Sequence, residues 1–295
     1  MKISVVILTY NRNKLLRKCL DSLFLNQTRL PDEVIIVNSG EEDVDALVKR
    51  YIKRKSVIKV VKTANVSLAD NRNAGVKASS HDLVAFTDDD CEVCTHWVEV
   101  FIRAFNQDEN IGSVGGNTFE VGNCKMIRNI ERVRFLADEY YDKLNSPFCY
   151  YFRTTNACYR KKILENIGLF EDTHYRSFED VSIGLKILMA GYKNIYYPEI
   201  SVKHYGRNTT LGLLKRLFEY GRGMYAGTLR FSGMPRAYVF KAQRSVPYII
   251  FSTFAGPVRD VFRFRKKENP LIIICFSFIM KLFVNAGMIY ERFIK

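Results

Sequence analysis

Residues 83–90 read Leu-Val-Ala-Phe-Thr-Asp-Asp-Asp: five residues suited to a buried strand, then three carboxylates in succession. A parallel strand covered on both faces reads as a continuous apolar run, so Leu83–Thr87 predicts such a strand and the aspartates mark where it leaves the core. Ile3–Leu8, Glu33–Val37 and Val57–Val61 are runs of the same kind. Between the first two, Leu15, Leu16, Cys19, Leu20, Leu23 and Phe24 recur at helical spacing. Val44–Ile52 and Leu68–Ala78 supply the next two helices. Strand and helix alternating in this way predict an α/β fold, a mostly parallel sheet with helices on both faces. In such sheets ligands bind outside the carboxyl ends of the strands.

Three polar segments fall at those ends: Thr9–Arg12 (TYNR), Asn38–Asp43 (NSGEED) and Asp88–Asp90. Each alone also reads as a solvated turn. The triple carboxylate carries more chemistry. On an extended segment, side chains at i and i+2 point the same way, so Asp88 and Asp90 are expected to face one point while Asp89 faces elsewhere. Like charges so placed raise one another's pKa. A hard divalent cation relieves them, and Mg²⁺ or Mn²⁺ is typically held by one or two carboxylates plus phosphate oxygens. The expected ligand is a nucleoside diphosphate with its metal, although a lone Asp-x-Asp matches many acidic loops.

The chain has 295 residues and a net charge of +14, which is unevenly spread. Residues 1–200 hold 28 Lys and Arg against 27 Asp and Glu, whereas 201–295 hold 17 against 4. A uniformly basic fold is excluded; a near-neutral globular part carries a basic, apolar extension. Seven cysteines, at 19, 91, 94, 124, 149, 158 and 275, form no paired framework, which points to a reducing compartment. The run Ile3–Leu8 is too short for a signal-peptide core.

Several motifs in order carry a resemblance. Thr9-Tyr10-Asn11-Arg12, Asn38-Ser39-Gly40, Ala69 to Gly75 (ADNRNAG) and Phe86 to Asp90 (FTDDD) resemble the nucleotide-sugar half of the family 2 glycosyltransferases, which invert and have the GT-A, Rossmann-like fold. Thr155 to Lys161, Ile167 to Glu171, Glu179 to Leu185, Gly191-Tyr192-Lys193 and Val202-Lys203-His204 resemble the acceptor half. The match covers roughly residues 1–205. It divides the chain into 1–115, the nucleotide-sugar-binding half, 116–205, the acceptor-binding and catalytic half, and the extension 206–295.

The resemblance implies roles. Thr9, Tyr10, Asn11 and Arg12 would line the base pocket. Asn38 stands where the family commonly has aspartate, which leaves uracil, guanine and thymine open, with UDP the expected donor nucleotide. Asp70 and Arg72 would approach the nucleotide and diphosphate, and Asp89 the donor. Asp88, Asp90 and His204 would hold Mn²⁺ or Mg²⁺, Asp88 also touching the donor. Without the family context His204 reads as a surface or core histidine. Asp180 resembles the general base that takes the acceptor hydroxyl's proton, and Glu179 would orient the acceptor or the base. Locally, two acids opening a helix also read as complements to its dipole. Gly115, Gly116, Asn117 and Asn156, after short strands at Ile111–Val114 and Tyr150–Phe152, resemble linings of the acceptor or sugar pocket. Asn73 and Gly75 read alternatively as ordinary helix surface.

Cys91-Glu-Val-Cys94 with His96 invites a zinc reading, but no second pair closes four ligands. Processive relatives carry Gln-x-x-Arg-Trp, and the only tryptophan, Trp97, is in the wrong place; transfer of a single sugar is expected.

In the extension, Leu211–Ala226 is a basic amphipathic helix, with Leu211, Leu214, Leu217, Phe218 and Tyr225 opposite Lys215, Arg216, Glu219 and Arg222. It reads as a membrane-surface element or a helix packed on the catalytic domain. Val246–Val258 is broken by Pro247, Gly256 and Pro257 and is too short to span. Leu271–Tyr290 has the length, but Lys281 near its middle would cost about 2.5–3.5 kcal/mol unless partnered. Positive charge on both sides, Arg263 to Lys267 and then Arg292 and Lys295, favours an interfacial or re-entrant hairpin over a simple span. Burial in a homodimer is the soluble alternative, and no nucleic-acid module accompanies the charge.

The leading expectation is a metal-dependent inverting enzyme on the cytoplasmic face of the cell membrane, acting on a glycan or lipid-linked acceptor. A sugar-nucleotidyltransferase and a catalytically inactive membrane-bound glycan- or nucleotide-binding protein are the alternatives.

Overall fold

The computed structural model describes residues 1–51, 56–64, 67–121, 129–130, 151–171, 178–206, 209–230, 245–266 and 268–294. Ile52, Cys124, Cys149, Tyr150 and Lys267 therefore lie outside the described residues. The chain forms two compact units: Met1–Val121 with Asn145–Asp172 and Glu179–Tyr205, and Gly122–Leu144 with Thr173–Phe178 and Gly206–Lys295.

Among the described residues the first unit is built on eight strands: β1 (Ile3–Thr9), β2 (Glu33–Asn38), β3 (Val57–Lys62), β4 (Leu83–Asp88), β5 (Cys91–Val93), β6 (Ile111–Glu120), β7 (Ala157–Arg160) and β8 (Lys193–His204). They lie in the order β3-β2-β1-β4-β7-β6-β8-β5. The four strands expected from apolar runs form a parallel block. Beyond it the sheet is mixed: β7 runs antiparallel to β4 and β6, β5 antiparallel to β8, and β6 parallel to β8. A strand joined to its neighbour by a helical crossover must run parallel, whereas β7, reached through a long connection from β6, carries no such constraint.

Helices α1 (Asn13–Phe24), α2 (Asp45–Val48), α3 (Leu68–Ala78), α4 (Trp97–Phe105), α5 (Lys161–Asn166) and α6 (Glu179–Met189) complete this unit. Alternate residues of β1 explain why its run is apolar throughout. Val5 and Ile7 join one core with Leu16, Leu20, Trp97 and Phe101, while Val6 joins the other with Val76, Phe86, Ile183 and Ile187. On α3, a Cβ at Gly75 would fall 2.3 Å from Val6 Cγ1, so glycine lets this helix sit close on β1. Gly75 is thus a packing position, not helix surface. The helix expected over 44–52 shortens to α2, and residues 151–152 precede a 3₁₀ turn instead of forming a strand. The strand expected at Ile111–Val114 runs on to Glu120.

The second unit holds α7 (Thr210–Arg230), α8 (Val246–Phe264) and α9 (Pro270–Ile294). Ile130, Leu213 and Leu217 form its core with Phe276, Met280, Phe283 and Val284. The buried stripe of α7 therefore includes Leu213, whereas Leu211 is 65% exposed. Its supposed basic face is partly engaged, since Arg222 Nε lies 3.0 Å from Glu291 Oε2. Helix α8 continues through Gly256 and Pro257, beyond the expected break. Pro247 sits in its first turn, where a missing N–H costs nothing. At Gly256 a Cβ would fall 2.3 Å from Lys281 Cε, so glycine makes room for the lysine stem. Lys281 Nζ then lies 3.1 Å from Asp260 Oδ2, and Ser277 donates to the same carboxylate. Asn285 donates to Ile249 O, Ser252 Oγ and Thr253 Oγ1. Asp260, Ser252 and Thr253 of α8 thus meet Ser277, Lys281 and Asn285 of α9, while Phe251, Phe254, Phe262, Leu271 and Phe293 are exposed. Pro270–Phe293, 24 residues whose most apolar 18-residue stretch has a mean hydropathy of 2.1, is long and apolar enough to cross a membrane.

Candidate active site

The acidic turn departs from the extended geometry expected of it. Strand β4 ends at Asp88, and Asp89 and Asp90 turn toward β5. Asp89 is not directed away: Arg12 bridges both following carboxylates, with Nη2 2.8 Å from Asp89 Oδ1 and Nη1 2.7 Å from Asp90 Oδ2. Thr9 donates its hydroxyl to Asp89 Oδ2 at 2.8 Å. Asn11, at φ +51, reverses the chain after β1, and its Oδ1 accepts the N–H groups of Glu41 and Glu42.

His204 ends β8 between two partner strands, in register with Cys91 of β5 and Glu120 of β6. Its Nε2 lies 3.2 Å from Asp90 Oδ1, and its Nδ1 lies 2.8 Å from both oxygens of Glu120. Burial alone would lower the imidazole pKa, but its contacts with Asp90 and Glu120 outweigh that and raise it to about 10. Asp90 is held at about 2: burial opposes, and His204 and Arg12 prevail. Burial pushes Asp89 up to about 7 against Arg12, and raises Asp88 together with the charge of Asp90.

Asp90 Oδ1 is buried and keeps no well-directed hydrogen bond among the described residues. One ligand atom each from Asp90, Cys91 and His204 lies within 4.8 Å of the others. Burial and the charges of Asp88 and Asp90 hold the Cys91 thiol well above its ordinary range, so it stays neutral and offers a hard cation little. Carboxylates beside an imidazole, with one carboxylate oxygen turned toward the ring's Nε2, are a donor set that fits a divalent cation.

A second pair of acids opens α6. Arg72 of α3 donates to Glu179 Oε1 at 2.6 Å, with both side chains buried. Glu179 Oε2 is buried without a hydrogen bond among the described residues. Glu179 and Asp88 raise the Arg72 pKa against the opposing effect of burial. Asp180, half-buried, follows Glu179 at the helix start. Phe178 immediately before them holds φ +80, a left-handed conformation rarely adopted by a phenylalanine.

Residues 4–168 match the family model described as Glycosyl transferase family 2. The chain belongs to this family. It is 26% identical over 174 residues to Glycosyltransferase GlyA of Streptococcus pneumoniae serotype 4, a match covering 59% of this chain and 22% of that protein. Among solved structures it resembles the mannosyltransferase PcManGT of Pyrobaculum calidifontis in complex with GDP-Man and Mn²⁺, at a TM-score of 0.71 and 17% identity. That alignment covers 100% of this chain and 88% of the other. GalNAc-T7 with UDP, GalNAc and Mn²⁺ aligns at a TM-score of 0.57 and 15% identity, covering 81% and 51%. At these identities the likeness is one of fold.

Against the family 2 pattern, the other predicted residues divide. Tyr10 is 49% exposed beside the crevice. Asn38 is buried with both ends of its amide engaged, Nδ2 donating to Glu42 O and Oδ1 accepting from Gly40 N–H. Asp70 is exposed and bonded to Ser67 as part of the α3 cap. Asn73 exchanges hydrogen bonds with the backbone of Phe170, so it too is a packing residue. Asn156 is buried, accepting from Trp97 Nε1 and donating to Asn117 O. Cys94 accepts the Ser201 N–H and donates to Glu199 O. Glu120 was not foreseen: no motif marks it, and only the length of β6 and its register with β8 bring it to His204.

Proposed function

We propose that this chain is a metal-dependent inverting glycosyltransferase that moves a single sugar from a nucleoside-diphosphate sugar to a hydroxyl of a glycan or lipid-linked acceptor. The observation that carries the reading is the juxtaposition of Asp90 and His204, 3.2 Å apart at the carboxyl end of the sheet. Asp88, Asp90 and His204 would hold Mn²⁺ or Mg²⁺, which when bound neutralises charge on a departing diphosphate. The complexes of PcManGT with GDP-Man and Mn²⁺ and of GalNAc-T7 with UDP, GalNAc and Mn²⁺ support a divalent metal and a nucleotide-sugar donor, and uracil, guanine and thymine all stay open for the base.

The chain's own groups supply the rest. Tyr10 presents an exposed ring toward the base. Arg72 commits one N–H to Glu179, leaving donors for diphosphate oxygens. Asp180, opposite the leaving group, takes the acceptor hydroxyl's proton as the sugar's anomeric carbon inverts. Glu179 positions this site through Arg72, and Asp89 keeps Thr9 and Arg12 in place. The test is a screen of UDP-, GDP- and dTDP-sugars with Mn²⁺, first by thermal shift and then by product release. Free nucleoside diphosphate supports transfer; pyrophosphate would make the chain a nucleotidyltransferase. Tight donor binding with no turnover would leave a binding protein.

We propose further that the second unit meets a membrane and that the enzyme works at its cytoplasmic face; the side chains of this unit support the membrane contact. Its Asp260, Ser277, Lys281 and Asn285 bond inside the α8–α9 pair while phenylalanines face outward, the distribution expected when hydrocarbon is the solvent. Lysine and arginine at the helix ends suit anionic headgroups. Flotation with liposomes in high salt checks this. Retention identifies the apolar surface as the anchor, release identifies the charge, and a soluble dimer identifies a second copy as the cover.

A further inference from the structure

We infer that Glu120 is the positioning residue of His204: it grips Nδ1 and so aims Nε2 into the site beside Asp90. The inference rests on the reading of Asp88, Asp90 and His204 as metal ligands. Its support is the registry of three strands. Glu120 of β6 and Cys91 of β5 flank His204 as its pairing partners. The backbone is latched on both sides at this level, Val121 N–H to His204 O at 2.8 Å and Tyr205 N–H to Asp90 O at 2.7 Å. The imidazole root therefore has little freedom, and the ring's remaining rotation is settled by what its two nitrogens meet.

Nδ1 meets both oxygens of Glu120 at 2.8 Å, and Nε2 meets Asp90 Oδ1 at 3.2 Å. A cation entering beside Asp90 would displace the Nε2 proton, and the ring, still donating Nδ1–H to the Glu120 carboxylate, would then turn its lone pair on Nε2 toward the Asp90 side. The same hydrogen bond makes Nε2 a better electron-pair donor. Arg153 Nη1 lies 3.8 Å from Glu120 Oε1 and adds positive charge beside the carboxylate. Glu120 meets the ring at Nδ1, whereas Asp90 meets it at Nε2, which separates their roles.

The test is Mn²⁺ affinity of the full chain, measured by calorimetry and by the electron paramagnetic resonance signal of free Mn²⁺, with no sugar donor present. Glu120→Ala is expected to weaken Mn²⁺ binding about 10–100-fold. Glu120→Gln, which keeps size and an acceptor oxygen, should lose less, and it carries the test if the alanine variant fails to fold. In a His204→Ala background, replacing Glu120 should cost nothing further, because its effect passes through the ring. Wild-type Mn²⁺ affinity in the Glu120 variants, with His204→Ala impaired, would overturn the inference and leave the ligand reading intact. An undiminished Glu120 effect in the His204→Ala background would overturn it as well. Wild-type affinity in His204→Ala alone would remove the ligand reading and the inference together.

Discussion

Arg72 and Glu179 are 107 residues apart in sequence and 2.6 Å apart in space, joined by a buried hydrogen-bonded ion pair. The pair ties α3, which rests on β1, to the first residue of α6, where Asp180 follows. Breaking one member of a buried pair strands the other charge, at about 3–5 kcal/mol. Glu179→Ala should therefore lower stability by roughly that amount in urea unfolding. Arg72→Met with Glu179→Leu should recover part of it. A double variant as unstable as the sum of the singles would mean that the two residues act independently.

Asp180→Asn should reduce turnover by about 10²–10⁴-fold while donor affinity stays unchanged, because only proton acceptance from the acceptor hydroxyl is removed. Donor titration by calorimetry beside single-turnover kinetics separates the two quantities. Turnover at the wild-type rate would assign the base elsewhere.

At about 100 times its dissociation constant, Mn²⁺ should stabilise the native state by about 2.7 kcal/mol. EDTA should abolish that gain, and Asp90→Asn should show none. A thermal shift retained in Asp90→Asn would place the ion away from the acidic turn.

Glu33 lies at the opposite end of the sheet from the acidic turn and joins several elements. It accepts from the Ser4 hydroxyl at 2.6 Å and the Ser80 N–H at 2.9 Å, and pairs with Lys59. Burial opposes ionisation, but these donors hold its pKa at about 2, below the ordinary 4.5. A depressed carboxylate contributes stability above pH 4.5 and loses it as pH falls through about 2. Glu33→Gln should thus cost about 1–2 kcal/mol at pH 7, discounted for the partly exposed Lys59. The difference from wild type should shrink by pH 3. A constant difference between those pH values would show that packing, not charge, holds Glu33.

The amino-acid sequence by itself determined the parallel block β3-β2-β1-β4 and the helices between its strands. Residues such as Val5, Val6 and Ile7 are buried on both faces, and periodicity along one element records that burial. It also marked the ends of the strands where polar side chains gather: Asp88 closes β4, Asp90 lies in the turn that follows, and His204 closes β8. Only the tertiary structure decided which side chains meet. Arg12 reaches both Asp89 and Asp90, Asn38 turns its amide to its own loop, Glu120 meets His204, and Asp260 neutralises Lys281 inside the α8–α9 pair. The reason is that spacing along a chain encodes the period of one element. Partnership between elements depends on strand order, register and helix approach, and these are set by the packing of many residues at once.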